Sequence, residues 1–202
     1  MNKCLYLLSI IVFVTTVGAI CFIVYAAFNT NEKPLSWEII SRDEWAARLP
    51  KGRTHIHGPV EYVVVHHSFI PDVCLTTDAC KAAMRSMQDF HMDGHGWDDI
   101  GYSFAVGGDG NVYVGRGFGV VGAHAPRYND KSIGLLLIGD FMEKLPPKPM
   151  MEVAQKFIAY AVEHSHVRAN YTLYGHRQVR DTECPGNAFF PVLKNWPHWK
   201  AN

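Results

Sequence analysis

Glu61-Tyr62-Val63-Val64-Val65-His66-His67 is the stretch on which the fold turns. Tyr62 to Val65 are aromatic or β-branched without a break, so the stretch reads as a strand covered on both faces. Such a strand belongs inside a sheet with helices packed on it. It delivers two adjacent histidines at its carboxyl end, where ligands collect in open α/β sheets. Pleat alternation turns His66 and His67 to opposite faces, so one of the pair serves any given site. Spacing alone does not choose between them.

The flanking sequence supplies the partners of this strand. Upstream, Ser41-x-x-Glu44 is a capping-box pattern that predicts a short helix through Trp45 and Arg48, stopped by Pro50 and Gly52. Downstream, Cys80, Ala83, Met84, Met87, Phe90 and His91 recur at three- and four-residue steps. That period predicts a helix from about Thr77, closed by Gly94 and Gly96. Residues 102–106 and 111–114 are strand-like runs joined by Gly107-Gly108-Asp109-Gly110, a hairpin signal. Residues 132–138 form another apolar strand, and Pro146-Pro147 interrupt the chain. A helix over about 149–164 places Val153, Phe157, Ile158, Ala161 and Val162 on one face. Residues 171–174 are a short strand ending at His176, and a last helix starts near Asn187 and stops before Pro197. Strands and helices alternate, which predicts one α/β domain with a central mixed β-sheet flanked by helices.

This domain is preceded by a different kind of sequence. No charged residue occurs from Cys4 to Phe28, and apolar side chains dominate. As a helix this run spans roughly 37 Å, enough to cross a bilayer. Residues 1–28 therefore read as a signal anchor or, with Val24-Tyr25-Ala26 as a cleavage pattern, a signal peptide. Lys3 precedes the run, so either reading exports residues 29–202. The expected location is secreted or type II membrane-anchored, with the membrane touched only through this segment. A formal net charge of zero argues against a nucleic-acid partner, which would call for a basic excess. The sequence carries no internal repeat. We expect a monomer.

Cysteine and histidine usage points to chemistry. Cys74, Cys80 and Cys184 lie in the exported part, and an odd exported cysteine needs a reason. Cys74 and Cys80 are close enough in sequence to pair across a loop-to-helix boundary. That would leave Cys184 beside a Pro-Gly turn, as a buried inert thiol or a metal ligand. His176 lies just past a strand end, as does the His66–His67 pair. Imidazole and thiolate are the donors zinc takes, and ligands this scattered fit a catalytic site with three protein ligands better than a closed structural one. His91, His95, His124, His164 and His166 are competing donors. His91 follows an apolar helix face, His164 and His166 end a helix, and His124 lies on a loop where it either lines a groove or packs. Tyr102 needs a partner for its hydroxyl. Arg116 is either a surface charge or a partner for a ligand carboxylate.

Several motifs together carry a family resemblance over residues 37–199. They are Val63-Val64-Val65-His66-His67-Ser68, Ser86-Met87-Gln88-Asp89-Phe90-His91, Trp97-Asp98-Asp99-Ile100-Gly101-Tyr102 and Gly122-Ala123-His124. To these add Gly175-His176-Arg177 and Asp181-Thr182-Glu183-Cys184-Pro185-Gly186. The chain resembles the amidase-active insect peptidoglycan recognition proteins, zinc N-acetylmuramoyl-L-alanine amidases. The resemblance implies that His66, His176 and Cys184 hold Zn2+, that Tyr102 assists catalysis and that Thr182 lies near the metal. It implies a Cys74–Cys80 disulfide. It implies bacterial peptidoglycan and muropeptides as partners, cut between muramic acid and L-alanine, with scavenging that damps immune signalling. Gly96 and Trp97, with Arg116, accompany preference for diaminopimelate-type peptidoglycan in that family, and His124 is a candidate groove residue. A binding receptor without amidase activity is the alternative.

Overall fold

Six strands make one mixed sheet in the computed structural model, which describes residues 36–201. They are β1 (Ile39–Ile40), β2 (Val60–His67), β3 (Phe104–Val106), β4 (Val112–Val114), β5 (Ser132–Leu137) and β6 (Val167–Gly175), in the order β1-β4-β3-β5-β2-β6. β2 is interior, parallel to β5 on one side and β6 on the other. Every residue from Val63 to His67 is buried, as an unbroken β-branched run requires when both faces are covered. Only β3 and β4 are antiparallel, joined by the expected hairpin with Gly110 at φ 83°. The apolar segment over residues 1–28 lies outside the described residues. Among those described, no helix is long and apolar enough to cross a membrane.

Three helices complete the described fold: α1 (Thr77–Asp89), α2 (Lys148–Glu163) and α3 (Phe189–Leu193). α1 starts where Thr76 accepts a hydrogen bond from the Ala79 amide, and it buries Cys80, Ala83, Met84 and Met87. α1 and α2 cover opposite faces of the sheet. Ala105 on β3 packs in one cluster with Met84 of α1, while its neighbour Phe104 meets Phe157 of α2 at 4.7 Å between ring centroids. A disulfide joins Cys74 to Cys80, with 5.1 Å between the Cα atoms, and ties the preceding loop to the first turn of α1.

Two local expectations change. Ser41 and Glu44 do make the capping box, with the Ser41 amide and hydroxyl both donating to the Glu44 carboxylate at 2.8 and 2.7 Å. The chain nevertheless forms only a turn there. Trp45 is drawn fully into the core, where its indole N–H donates to the Val114 carbonyl at 2.9 Å, and Ala46 adopts φ 57°. At its other end α1 runs into a wider turn over Phe90–Gly94, closed by the His95 amide on the Phe90 carbonyl at 3.2 Å. That turn buries His91 and leaves Phe90 exposed.

Candidate metal centre and binding groove

Strand register assembles the centre. Val65 of β2 pairs with Gly175, the last residue of β6, and the residue that follows each in the chain is a histidine, His66 and His176. Their ring centroids lie 4.3 Å apart. The third member arrives on the loop after β6. Arg177 donates through its amide to the Cys184 carbonyl at 2.8 Å and through its side chain to Asn187 at 2.9 Å, so one residue stitches that loop to the end of β6. Gly186 lets the loop lie against Phe141. It has φ 109°, and a Cβ there would come within 2.2 Å of the Phe141 carbonyl oxygen. The result places Cys184 Sγ 3.8 Å from His66 Nδ1, with the His67 amide donating to the sulfur at 3.3 Å.

One ligand atom from each of His66, His176 and Cys184 lies within 4.8 Å of the others. His176 Nε2 is buried with no hydrogen-bond partner among the described residues. A buried imidazole nitrogen without a partner is costly unless a ligand or ion satisfies it. The observed 3.8 Å from nitrogen to sulfur is near the roughly 3.6 Å that tetrahedral zinc bond lengths require. Electrostatics agree with the donor set. Burial, reinforced by His176, His124 and His67, holds the His66 imidazole well below its ordinary range. Burial, with Arg180 and His67, brings His176 down to about 4. Both rings are thus in the neutral form that binds metals. The Cys184 thiol is pushed up to about 12 by burial, partly offset by the His67 amide and Arg177. A coordinating cation reverses that bias and deprotonates the thiol.

His67 stands outside the donor cluster and lines the cleft beside it. Its Nδ1 accepts the Phe141 amide at 3.2 Å. The alternation along β2 that sequence could not orient is therefore settled by packing, with His66 on the side of His176.

A cleft of about 390 Å³ opens beside the centre and is lined by Tyr102, Met142, His176, Thr182 and Cys184. The Tyr102 ring sits 5.3 Å from that of His66, and no group among the described residues hydrogen-bonds its hydroxyl. Burial first, and Cys184 second, raise Tyr102 above the ordinary phenol range, so it stays a protonated donor. Thr182 Oγ1 accepts the Cys184 amide at 3.3 Å. A larger groove of about 450 Å³ continues past Tyr102, between Phe69, Ile70, Met87, Phe90 and His91. Sequence reasoning missed its rim, where Phe69, Ile70 and Phe90 are 53%, 77% and 61% exposed. An apolar Phe-Ile pair in a proline-bounded turn straight after the histidines was the available signal.

The remaining candidates stand further back. Gly96 is exposed at φ 71°, and Trp97 stacks on His91 and His95, 4.9 Å from each ring. Trp97 therefore meets the groove through His91. Arg116 donates to the carbonyls of Ile100, Val121 and Asp99 at 2.7, 2.9 and 3.4 Å. A guanidinium has five N–H donors, so two are not used by these bonds. His124 does not line the groove. Asn129 folds its loop inward by accepting the His124 and Ala125 amides at 2.8 Å each, and the ring ends 6% exposed behind His66.

Candidate ligands at the carboxyl edge of an α/β sheet, open to a groove on one side, match the arrangement expected of a catalytic metal site. The N-acetylmuramoyl-L-alanine amidase family profile matches residues 57–187. The chain is 55% identical over 171 residues to Drosophila melanogaster peptidoglycan-recognition protein LB, covering 85% of this chain and 74% of that one. The solved wild-type Drosophila structure of that name superposes with a TM-score of 0.81 at 53% identity, covering 82% of this chain and 97% of the other. A mouse protein named N-acetylmuramoyl-L-alanine amidase is 42% identical over 161 residues, 78% of this chain and 30% of its own length. Peptidoglycan recognition protein LE, solved in complex with tracheal cytotoxin, a monomeric diaminopimelic acid-type peptidoglycan, superposes at 0.78 with 37% identity, over 80% of this chain and 95% of that one. The chain belongs to the N-acetylmuramoyl-L-alanine amidase family, in its peptidoglycan-recognition branch.

Proposed function

We propose that this protein is a zinc-dependent amidase that cuts peptidoglycan between N-acetylmuramic acid and L-alanine. The observation that carries the reading is the buried, partnerless His176 Nε2 within a histidine, histidine and cysteine cluster that borders a groove. His66, His176 and Cys184 would hold the zinc. Bound there, zinc activates water and polarises a carbonyl at neutral pH. Tyr102 donates its hydroxyl proton in a hydrogen bond to the oxygen on which charge develops in the transition state. Thr182 holds the Cys184 amide and leaves its own proton for the cleft. The apolar rim of Phe69, Ile70 and Phe90 offers contact surface for sugar and peptide faces.

A preference for the diaminopimelate type is supported by the two Arg116 N–H donors not used on the Ile100, Val121 and Asp99 carbonyls, and by the relative solved with such a ligand. The biological role is scavenging of muropeptides outside the cell, which damps immune signalling. Residues 1–28 would act as signal anchor or cleaved signal.

The test is release of stem peptide from purified diaminopimelate-type muropeptide. Chelation should abolish release and added zinc should restore it. Release that ignores chelation overturns the zinc mechanism. A zinc-loaded protein that binds muropeptide and leaves it intact is a receptor instead.

A further inference from the structure

His66 can offer a lone pair at Nδ1 only if its single proton sits on Nε2. The other tautomer points an N–H at the cluster. His66 Nε2 lies 3.0 Å from His124 Nδ1, His124 Nε2 lies 3.4 Å from Ser132 Oγ, and the Ser132 hydroxyl donates to the Tyr128 carbonyl at 2.6 Å. A carbonyl oxygen only accepts, so the serine proton is committed to it. Ser132 Oγ is then an acceptor towards His124, which puts the His124 proton on Nε2 and leaves Nδ1 bare. A bare His124 Nδ1 must accept from His66, which places the His66 proton on Nε2. The chain of donors ends with the His66 Nδ1 lone pair facing Cys184 and His176.

The fold makes room for this arrangement. A Cβ on Gly134, next but one to Ser132 on β5, would fall 2.4 Å from His124 Cδ2, and a Cβ on Gly122 would fall 2.4 Å from the same atom. Two glycines therefore leave the slot that the imidazole fills. Asn129 holds the backbone that carries the ring by accepting the His124 and Ala125 amides. No groove residue is involved, so the ring has no direct route to a ligand.

We propose that His124 and Ser132 are positioning residues that lock His66 in the metal-binding tautomer before the metal arrives. The proposal rests on the zinc reading above for its consequence, and on hydrogen-bond geometry for its content. Metal-ligating histidines generally depend on such a partner, whose loss weakens metal binding about 10–100-fold.

The experiment uses the full-length protein labelled with nitrogen-15 in histidine. Protonated and bare imidazole nitrogens resonate far apart, so the tautomer of each ring is read directly in zinc-free and zinc-loaded protein. His66 and His124 should both carry their proton on Nε2 in the two states. A His124 proton on Nδ1 overturns the proposal whatever any variant does. Zinc affinity is then compared for His124→Leu and His124→Asn, two side chains of the same branched outline. His124→Leu should weaken zinc about 10–100-fold, and His124→Asn, which returns an oxygen acceptor near the Nδ1 position, should recover most of the loss. Equal affinities in the two variants overturn it, because packing loss is common to both. Wild-type protein that takes up no zinc overturns the metal reading and this consequence together, whereas wild type that binds zinc beside a wrong His124 tautomer overturns the relay alone.

Discussion

Zinc uptake should release one proton at pH 6, and Cys184 should be its source. The Cys184 thiol is pushed up to about 12 in the metal-free site. Deprotonating it at pH 6 costs about 1.36 kcal/mol for each pH unit below that value, roughly 8 kcal/mol. Structural zinc peptides keep an apparent binding energy of about 10–16 kcal/mol near pH 7 with ligand deprotonation already included, so coordination wins and Cys184 binds as thiolate. The histidines add almost nothing. His176, brought down to about 4, is only about 1% protonated at pH 6, and His66 is held well below its ordinary range. The sign follows: the proton-binding state is the metal-free one, so zinc affinity rises with pH, about tenfold per unit near pH 6. Isothermal titration calorimetry in buffers of different ionisation enthalpy counts the protons. Cys184→Ser should release none, because a serine hydroxyl does not ionise here, and should bind zinc far more weakly. A wild type that releases no proton, or a Cys184→Ser variant that still releases one, refutes the assignment of the sulfur as ligand.

Three further outcomes test other parts of the site. Tyr102→Phe should keep its zinc content while kcat falls about 100-fold, and a change confined to KM would make Tyr102 a binding residue. Arg116→Ala should weaken diaminopimelate-type ligands by about 1.5–3 kcal/mol more than lysine-type ones, on top of any common loss from freeing the Ile100 and Val121 carbonyls. Equal losses would leave Arg116 as a brace for that loop alone. Replacing Cys74 and Cys80 by serine should cost about 2 kcal/mol in urea unfolding, the chain-entropy value for so short a loop, and unchanged stability would contradict that account.

Much of the fold was legible because its signals are local. The β-branched run of β2, the three- and four-residue period of α1 and the Asp109-Gly110 turn each depend on a few neighbouring side chains. The failures are also instructive. Ser41 and Glu44 form their capping box, yet no helix follows, because burial of Trp45 under β4 outweighs a local preference. The cysteine and histidine types marked a candidate metal site on donor chemistry alone.

What spacing alone could not decide is which histidine of the pair faces His176 and what stands behind it. Cys184 and His66 are 118 residues apart, and they meet because the parallel register sets Val65 beside Gly175. His124 reads as a loop residue at a groove, and its actual place depends on Gly134 of a neighbouring strand and on the Asn129 clamp. Composition and period determined the elements and the chemistry available to them. Only tertiary packing decided which nitrogen faces the sulfur, because that orientation is set by contacts between strands that the chain order does not bring together.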